Sequence, residues 1–110
     1  MGISKSPPTV FSRRLKEARL AAGIPQDRLG VMIGLDEGCS SARISRYENG
    51  IHAPSFGTVK RLGEILNLPT AYFYCEDDGL AELVKAYFRG SAADRKQILA
   101  NANIENLLHT

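Results

Sequence analysis

The sequence has few side chains that bind metals or form cross-links, with two cysteines and two histidines among 110 residues and no tryptophan. Cys39 and Cys75 stand far apart, and neither has a second cysteine or a histidine cluster nearby. This spacing indicates neither a zinc site nor a disulfide framework. Both cysteines are therefore expected to be free thiols, and no metal is expected.

Long apolar runs are also missing. No segment approaches the roughly 18 apolar residues that a membrane-spanning helix needs. The N-terminus has no apolar core of the kind found in a secretion signal. The sequence therefore predicts a cytoplasmic protein without a membrane partner.

The sequence also lacks the motifs that are typical of catalytic sites. The sequence has no glycine-rich phosphate loop and no H-E-x-x-H motif, and no serine or cysteine is placed for nucleophilic attack. We expect neither enzymatic activity nor a cofactor.

Charge is unevenly distributed along the chain. The formal net charge is +2, but residues 1–61 hold 10 Lys and Arg against 5 Asp and Glu, whereas residues 62–110 hold 4 against 7. The two parts therefore carry +5 and −3. A basic first part suggests a polyanion as its partner.

The stretch from Gln26 to Gly50 contains two short helical patterns separated by a turn with glycine. We predict that Ser40 caps the second of these helices, which would run over residues 41–49. Its apolar residues Ile44 and Tyr47 fall on one face, and polar and basic residues remain on the other. This arrangement predicts a helix-turn-helix, and the basic outer face suits the major groove of DNA. His52, in the loop that follows, is expected to be simply exposed.

Helix boundaries elsewhere follow from local signals. Thr9 is a candidate N-cap for a first helix that Gly23 ends, and Gln26 follows a proline at the start of the second. Pro54 and Ser55 start a fourth helix, and Asn67 suits a left-handed C-cap. Residues 1–8 have no periodicity and predict a loose arm.

Three spaced motifs carry a resemblance to a known family. They are Q-D-R-L-G followed by I-G, then S-S-A-R-I-S-R-Y-E-N-G, then A-P-S at the start of a new helix. Together they resemble the lambda-repressor-like, or Cro/Xre-type, helix-turn-helix regulators over about residues 9–75. Asp36, Glu37, Gly38 and Cys39 are extra relative to the family pattern, which leaves the geometry of the turn open.

The resemblance implies a set of DNA contacts. Base edges would be read by the third predicted helix, through Ser41, Ala42, Arg43 and Arg46. Phosphates would be contacted by residues at helix ends: Gln26, Ser40, Asn49, Ser55 and Phe56. Arg46 is the candidate for a bidentate contact with guanine, and an ordinary surface arginine is the competing interpretation. The resemblance also implies a structural ion pair between Arg19 and Glu48.

The C-terminal part extends beyond these motifs. Residues 68–75 predict a short fifth helix in which Tyr72, Phe73 and Tyr74 close the core rather than stack on bases. Asp78 is a candidate cap for a sixth helix, and Ser91 with Asp94 resembles a capping box for a seventh. Both helices carry apolar faces, formed by Leu80, Leu83, Val84, Tyr87, Phe88, Ile98 and Leu99. We therefore expect an all-α fold, with a five-helix domain over residues 9–75 and two further helices over 76–110.

Two functions from different classes are compatible with this sequence. The first is a sequence-specific regulator of transcription that binds double-stranded DNA, acts as a repressor and dimerises through residues 76–110 on a palindromic operator. The second is an antitoxin-like adaptor that holds a partner protein through its apolar C-terminal helices. DNA binding and partner binding can also coexist.

Overall fold

The computed structural model describes residues 8–104, within which the chain forms six α-helices, one 3₁₀ helix and no strand. The α-helices are α1 (Val10–Ala22), α2 (Gln26–Met32), α3 (Glu37–Glu48), α4 (Phe56–Leu66), α5 (Asp78–Arg89) and α6 (Ala92–Asn101), and the 3₁₀ helix covers Thr70–Tyr74. The expected all-α fold is confirmed. The predicted arm over residues 1–8 lies outside the described residues except for Pro8.

Local capping explains most of the helix ends. Thr9 and Ser12 form a reciprocal capping box at the start of α1, and Gly23 ends that helix with a φ of 69°. Ser55 accepts a hydrogen bond at the start of α4, and Asn67 ends α4 with a φ of 57°. Ser91 and Asp94 form the capping box of α6. These boundaries were predicted correctly because each depends on residues close together in the chain.

Helix α3, which corresponds to the helix predicted over residues 41–49, begins earlier than predicted. Asp36 occupies its N-cap position, and the residues from Glu37 onward add about one turn at its N-terminus. The prediction that Ser40 caps this helix is wrong. Its side chain is fully buried, and its hydroxyl donates to the backbone oxygen of Asp27 at 2.9 Å. The extra residues relative to the family pattern therefore lengthen α3 at its N-terminus.

The close crossing of α2 and α3 depends on Gly30. A Cβ atom at this position would lie 2.4 Å from the Cβ of Ser40 and 2.9 Å from its backbone oxygen. Such distances leave no room for a side chain, so the glycine permits the two helices to pack at the position of Ser40.

The aromatic residues of the 3₁₀ helix divide between core and surface. Phe73 is fully buried and Tyr72 is 4% exposed, whereas Tyr74 is 54% exposed. The prediction that Tyr74 helps to close the core is therefore wrong. A 3₁₀ helix has about three residues per turn, so three consecutive side chains point in three directions. Tyr74 still lies beside Phe11, with ring centroids 6.1 Å apart.

The start of α5 is fixed to α1 by two arginines. Asp77, and not Asp78 as predicted, caps α5 by accepting from the backbone N–H of Leu80 at 2.7 Å. The Asp78 carboxylate instead accepts from Arg14 at 2.9 Å and from Arg13 at 3.1 Å. The Arg14 hydrogen bond is the main cause that holds the pKa of Asp78 below its usual range, with Arg13 adding to it. The acidic segment 76–78 thus joins the C-terminal helices to α1.

Both cysteines are free thiols, with Cys75 buried and Cys39 exposed. Within residues 8–104, no three histidine, cysteine, aspartate or glutamate side chains lie together as metal ligands would. None of the helices in this part of the chain has both the length and the apolar character needed to cross a membrane.

Candidate nucleic-acid interface

The outer face of α3 presents the residues that were predicted to read bases. Ser41, Ala42, Arg43 and Arg46 are all exposed. On the opposite face, Ile44 is fully buried and Tyr47 is 6% exposed. The inward positions that the apolar spacing predicted are confirmed. The helix therefore uses one face to attach to the core and leaves the other free for a ligand.

An ion pair fixes the end of α3 to α1. Arg19 Nε donates to Glu48 Oε2 at 2.5 Å, and Arg19 Nη2 donates to Glu48 Oε1 at 3.1 Å. Only 10% of the arginine side chain and 2% of the glutamate side chain are exposed. Arg19 also donates to the backbone oxygen of Ile24 at 3.1 Å. This is the pair that the family resemblance implied, and it fixes the orientation of α3 relative to the core.

Comparison with known proteins identifies the arrangement. A family model described as helix-turn-helix matches residues 15–73, which is more than half of the chain. This chain belongs to the Cro/Xre-type helix-turn-helix family. It is therefore a DNA-binding protein of transcription regulation, as the sequence resemblance predicted. A search of curated proteins found no match.

A solved structure extends the likeness beyond the family match. The chain is similar to the crystal structure of the transcriptional regulator BswR, with a TM-score of 0.80 and 37% sequence identity. The alignment covers 84% of this chain and 91% of that chain. Because residues 1–73 make up less than this share of the 110 residues, the likeness continues into the C-terminal helices.

Gln26 of the helix-turn-helix lies at the first residue of α2, as predicted. Its side-chain amide donates to Glu48 Oε1 at 3.0 Å. One candidate phosphate ligand is therefore hydrogen-bonded directly to the buried ion pair. The sequence contained no signal for this contact, because the two residues are 22 positions apart and meet only when α2 packs beside the end of α3.

Two further residues that were predicted to contact phosphate lie at the start of α4. Ser55 caps this helix by accepting from the backbone N–H of Thr58 at 3.2 Å. Phe56 is the first residue of the helix and is 69% exposed. The first N–H groups of an α-helix have no partner within the helix and carry partial positive charge. This end of α4 is therefore suited to an anion.

The structure places the other two candidate residues differently. Asn49 is half-buried, and its amide donates to the backbone oxygen of Ser45 at 2.9 Å and to the Ser45 hydroxyl at 3.2 Å. Its side chain therefore closes the end of α3 in the free protein. Ser40 lies inside α3, so the argument that placed it at a phosphate-binding helix end no longer holds.

Arg43 and Arg46 also line a basic cavity for which the sequence contains no local signal. It lies between α3 and the start of α4 and has a volume of about 460 Å³. The residues that line it are Arg43, Arg46, Tyr47, His52, Ala53, Pro54, Ser55 and Thr58. His52 is exposed, as expected, but the fold brings it to the same cavity as the two arginines.

Proposed function

We propose that this protein is a sequence-specific transcriptional repressor that places α3 in the major groove of double-stranded DNA. The observation that supports it most strongly is the pair of exposed arginines on α3. Within residues 8–104, neither Arg43 nor Arg46 forms a salt bridge, whereas Arg13, Arg14 and Arg19 all do. Two unpaired guanidinium groups on a helix that is fixed to the core suit a polyanion.

The residues would divide into two roles. Arg46 would make a bidentate contact with guanine O6 and N7, which typically discriminates against other bases by about 1–3 kcal/mol. Ser41, Ala42 and Arg43 would lie along neighbouring base pairs. Contacts with the backbone would come from Gln26, Asn49, Ser55 and Phe56. Such backbone contacts position the protein on the duplex but do not read its sequence.

The two roles are tested by comparing Arg46→Ala with Gln26→Ala. We expect Arg46→Ala to relax the sequence preference at one or two base positions, because a base contact is lost. Gln26→Ala should weaken binding to all sequences by a similar factor, because a phosphate contact carries no sequence information. Selection of bound sites from random-sequence DNA, followed by affinity measurements on the recovered sites and their single-base variants, measures both effects.

A matched control is Lys96→Ala, which removes one exposed positive charge from α6, outside the proposed interface. This variant should bind like the wild type. If Arg46→Ala and Gln26→Ala each weaken specific and random DNA to the same degree, the assignment of Arg46 to base recognition is wrong.

A homodimer is the second element of the proposal. An apolar groove of about 590 Å³ lies between α5 and α6, lined by Pro69, Leu83, Val84, Tyr87, Phe88, Arg95, Ile98, Leu99, Ala102 and Ile104. Leu83 is 50% exposed, Leu80 47% and Phe88 39%. An apolar surface of this kind marks an interaction site. A second copy of the chain would cover it through a two-fold interface and would double the contacts with DNA.

Two-fold symmetry also predicts the form of the operator. Two copies of α3 would enter successive major grooves on one side of the duplex, with half-site centres about 10 base pairs apart. The operator would therefore be palindromic or nearly so. A bound dimer on such a site would exclude other proteins from the same DNA, which is the simplest route to repression.

The dimer is tested by placing a charge in the exposed groove. Leu83→Glu should sediment at the chain mass of 12.0 kDa, whereas the wild type should sediment at twice this mass. The expected cause is the cost of burying an unpaired carboxylate in an apolar interface. Lys96→Glu adds a carboxylate elsewhere on the C-terminal helices and should leave the dimer intact.

The same exposed groove also favours the alternative function, an adaptor that holds a partner protein. A wild-type protein that sediments as a monomer at tens of micromolar, or a Leu83→Glu variant that remains dimeric, would contradict the proposed two-fold interface. A monomer that co-purifies with one stoichiometric partner from its native host would support the adaptor instead.

A further inference from the structure

We propose that His52 is a proton-linked phosphate ligand, so that DNA binding by this protein tightens as pH falls through the titration range of histidine. The basic cavity between α3 and α4 would receive a backbone phosphate of the bound duplex. This inference rests on the proposed DNA-binding function and adds to it a residue and a regulation by pH.

The backbone holds His52 close to the end of α3. The chain reverses at Gly50, which has a φ of 73°. The backbone N–H of Ile51 then donates to the oxygen of Arg46 at 2.9 Å, and the N–H of His52 donates to the same oxygen at 3.4 Å. These bonds keep the imidazole at the rim of the cavity that Arg43 and Arg46 line.

The charged and titratable groups that line the cavity suit an anion. Its lining contains two guanidinium groups and one imidazole but no carboxylate. The N-cap residue of α4, Ser55, also lines it, so the positive end of that helix faces the same space. A phosphate diester would bring the negative charge that these groups lack.

Histidine is the one residue type in the lining whose charge in general changes near neutral pH. The titratable residues there are Arg43, Arg46, Tyr47 and His52. Guanidinium groups and phenols in general titrate well above pH 8, whereas imidazoles in general titrate between about pH 6 and 7. A phosphate bound beside an imidazole would favour the charged form of the ring, so binding would take up a proton.

The test compares DNA affinity at about pH 6 and about pH 8, where a histidine is mostly charged and mostly neutral, respectively. The probe is a labelled duplex that the wild-type protein enriches from random-sequence DNA. We expect wild-type affinity to fall about three- to tenfold per protomer between these two conditions, as for the loss of one charged contact with phosphate in each protomer. His52→Gln should bind weakly at both values, and His52→Lys should bind tightly at both.

The second histidine provides a matched control. His109 lies outside the described residues, and His109→Gln should keep the full pH dependence of the wild type. Because His52 is exposed, its variants should melt at the wild-type temperature. Binding that is equally pH-dependent in the wild type and His52→Gln, or that is independent of pH in the wild type, would overturn the inference and leave the DNA-binding function standing. No binding by the wild type at either pH would overturn both.

Discussion

The affinity of this protein for its cognate duplex is expected to fall about a hundredfold when the salt concentration rises from about 50 to about 200 mM. The reason is the release of counterions from DNA where positive side chains neutralise phosphates. Arg43 and Arg46 bring two exposed guanidinium groups per protomer to the proposed interface, so a dimer would bring about four. Four such charges correspond to a log–log slope of about −3.6. The uncharged residues proposed to contact phosphates, namely Gln26, Asn49, Ser55 and Phe56, position the protein without releasing many counterions.

Fluorescence anisotropy titrations at several salt concentrations and one pH measure this dependence as a log–log slope. Arg43→Ala should make the slope shallower by about one for each protomer, because one positive charge is removed from the proposed interface. Lys96→Ala, which removes an exposed charge on α6, should leave it unchanged. A wild-type slope near zero would show that phosphates do not dominate binding and would refute the proposed interface.

Glu48→Gln is expected to lower the free energy of unfolding by about 3–5 kcal/mol, because it leaves the buried guanidinium of Arg19 without its counter-charge. Glutamine has nearly the same shape as glutamate, so the substitution tests the charge rather than the packing. For a domain of this size, such a loss lowers the melting temperature by more than about 10 °C. Thermal unfolding followed by circular dichroism measures the shift.

An exposed ion pair on α5 serves as the control. Glu82 pairs with Lys85 at 3.0 Å, and the glutamate side chain is 66% exposed. Glu82→Gln should cost under about 1 kcal/mol, because water screens this pair and already solvates both partners. If Glu48→Gln and Glu82→Gln shift the melting temperature equally little, the Arg19–Glu48 pair does not stabilise the fold.

The ion pair also connects stability to recognition. Glu48 accepts from Arg19 through both carboxylate oxygens and from Gln26 through Oε1. One carboxylate therefore links α1, the start of α2 and the end of α3. These contacts set the position of the exposed face of α3 relative to the helix ends that are proposed to bind phosphate, a geometry that the proposed base readout requires.

Several features of this protein were determined by the sequence alone. The caps at Thr9, Ser55 and Ser91 and the left-handed ends at Gly23 and Asn67 depend on hydrogen bonds that span only a few residues. The buried positions of Ile44 and Tyr47 follow from helical spacing. The spaced motifs over residues 26–55 then indicated the family and, through it, the partner of Arg19.

Tertiary structure decided between candidate cap residues that local sequence signals could not distinguish. Asp36 and Ser40 are both good cap residues, and only the packing of α3 on Gly30 buries the second of them. Asp77 and Asp78 are equally good candidates to cap α5, and the arginines of α1 occupy the second. These outcomes depend on contacts between residues far apart in the chain, whose energies no short stretch of sequence contains.

The composition of the interface was decided in the same way. The sequence placed Arg43 and Arg46 on an exposed face of a helix, and it placed His52 in a loop. Only the reversal of the chain at Gly50 and the packing of α4 beside α3 bring the three side chains to one cavity. Helical periodicity determines which residues face outward, but the meeting of separate elements determines which of those residues act on the same ligand.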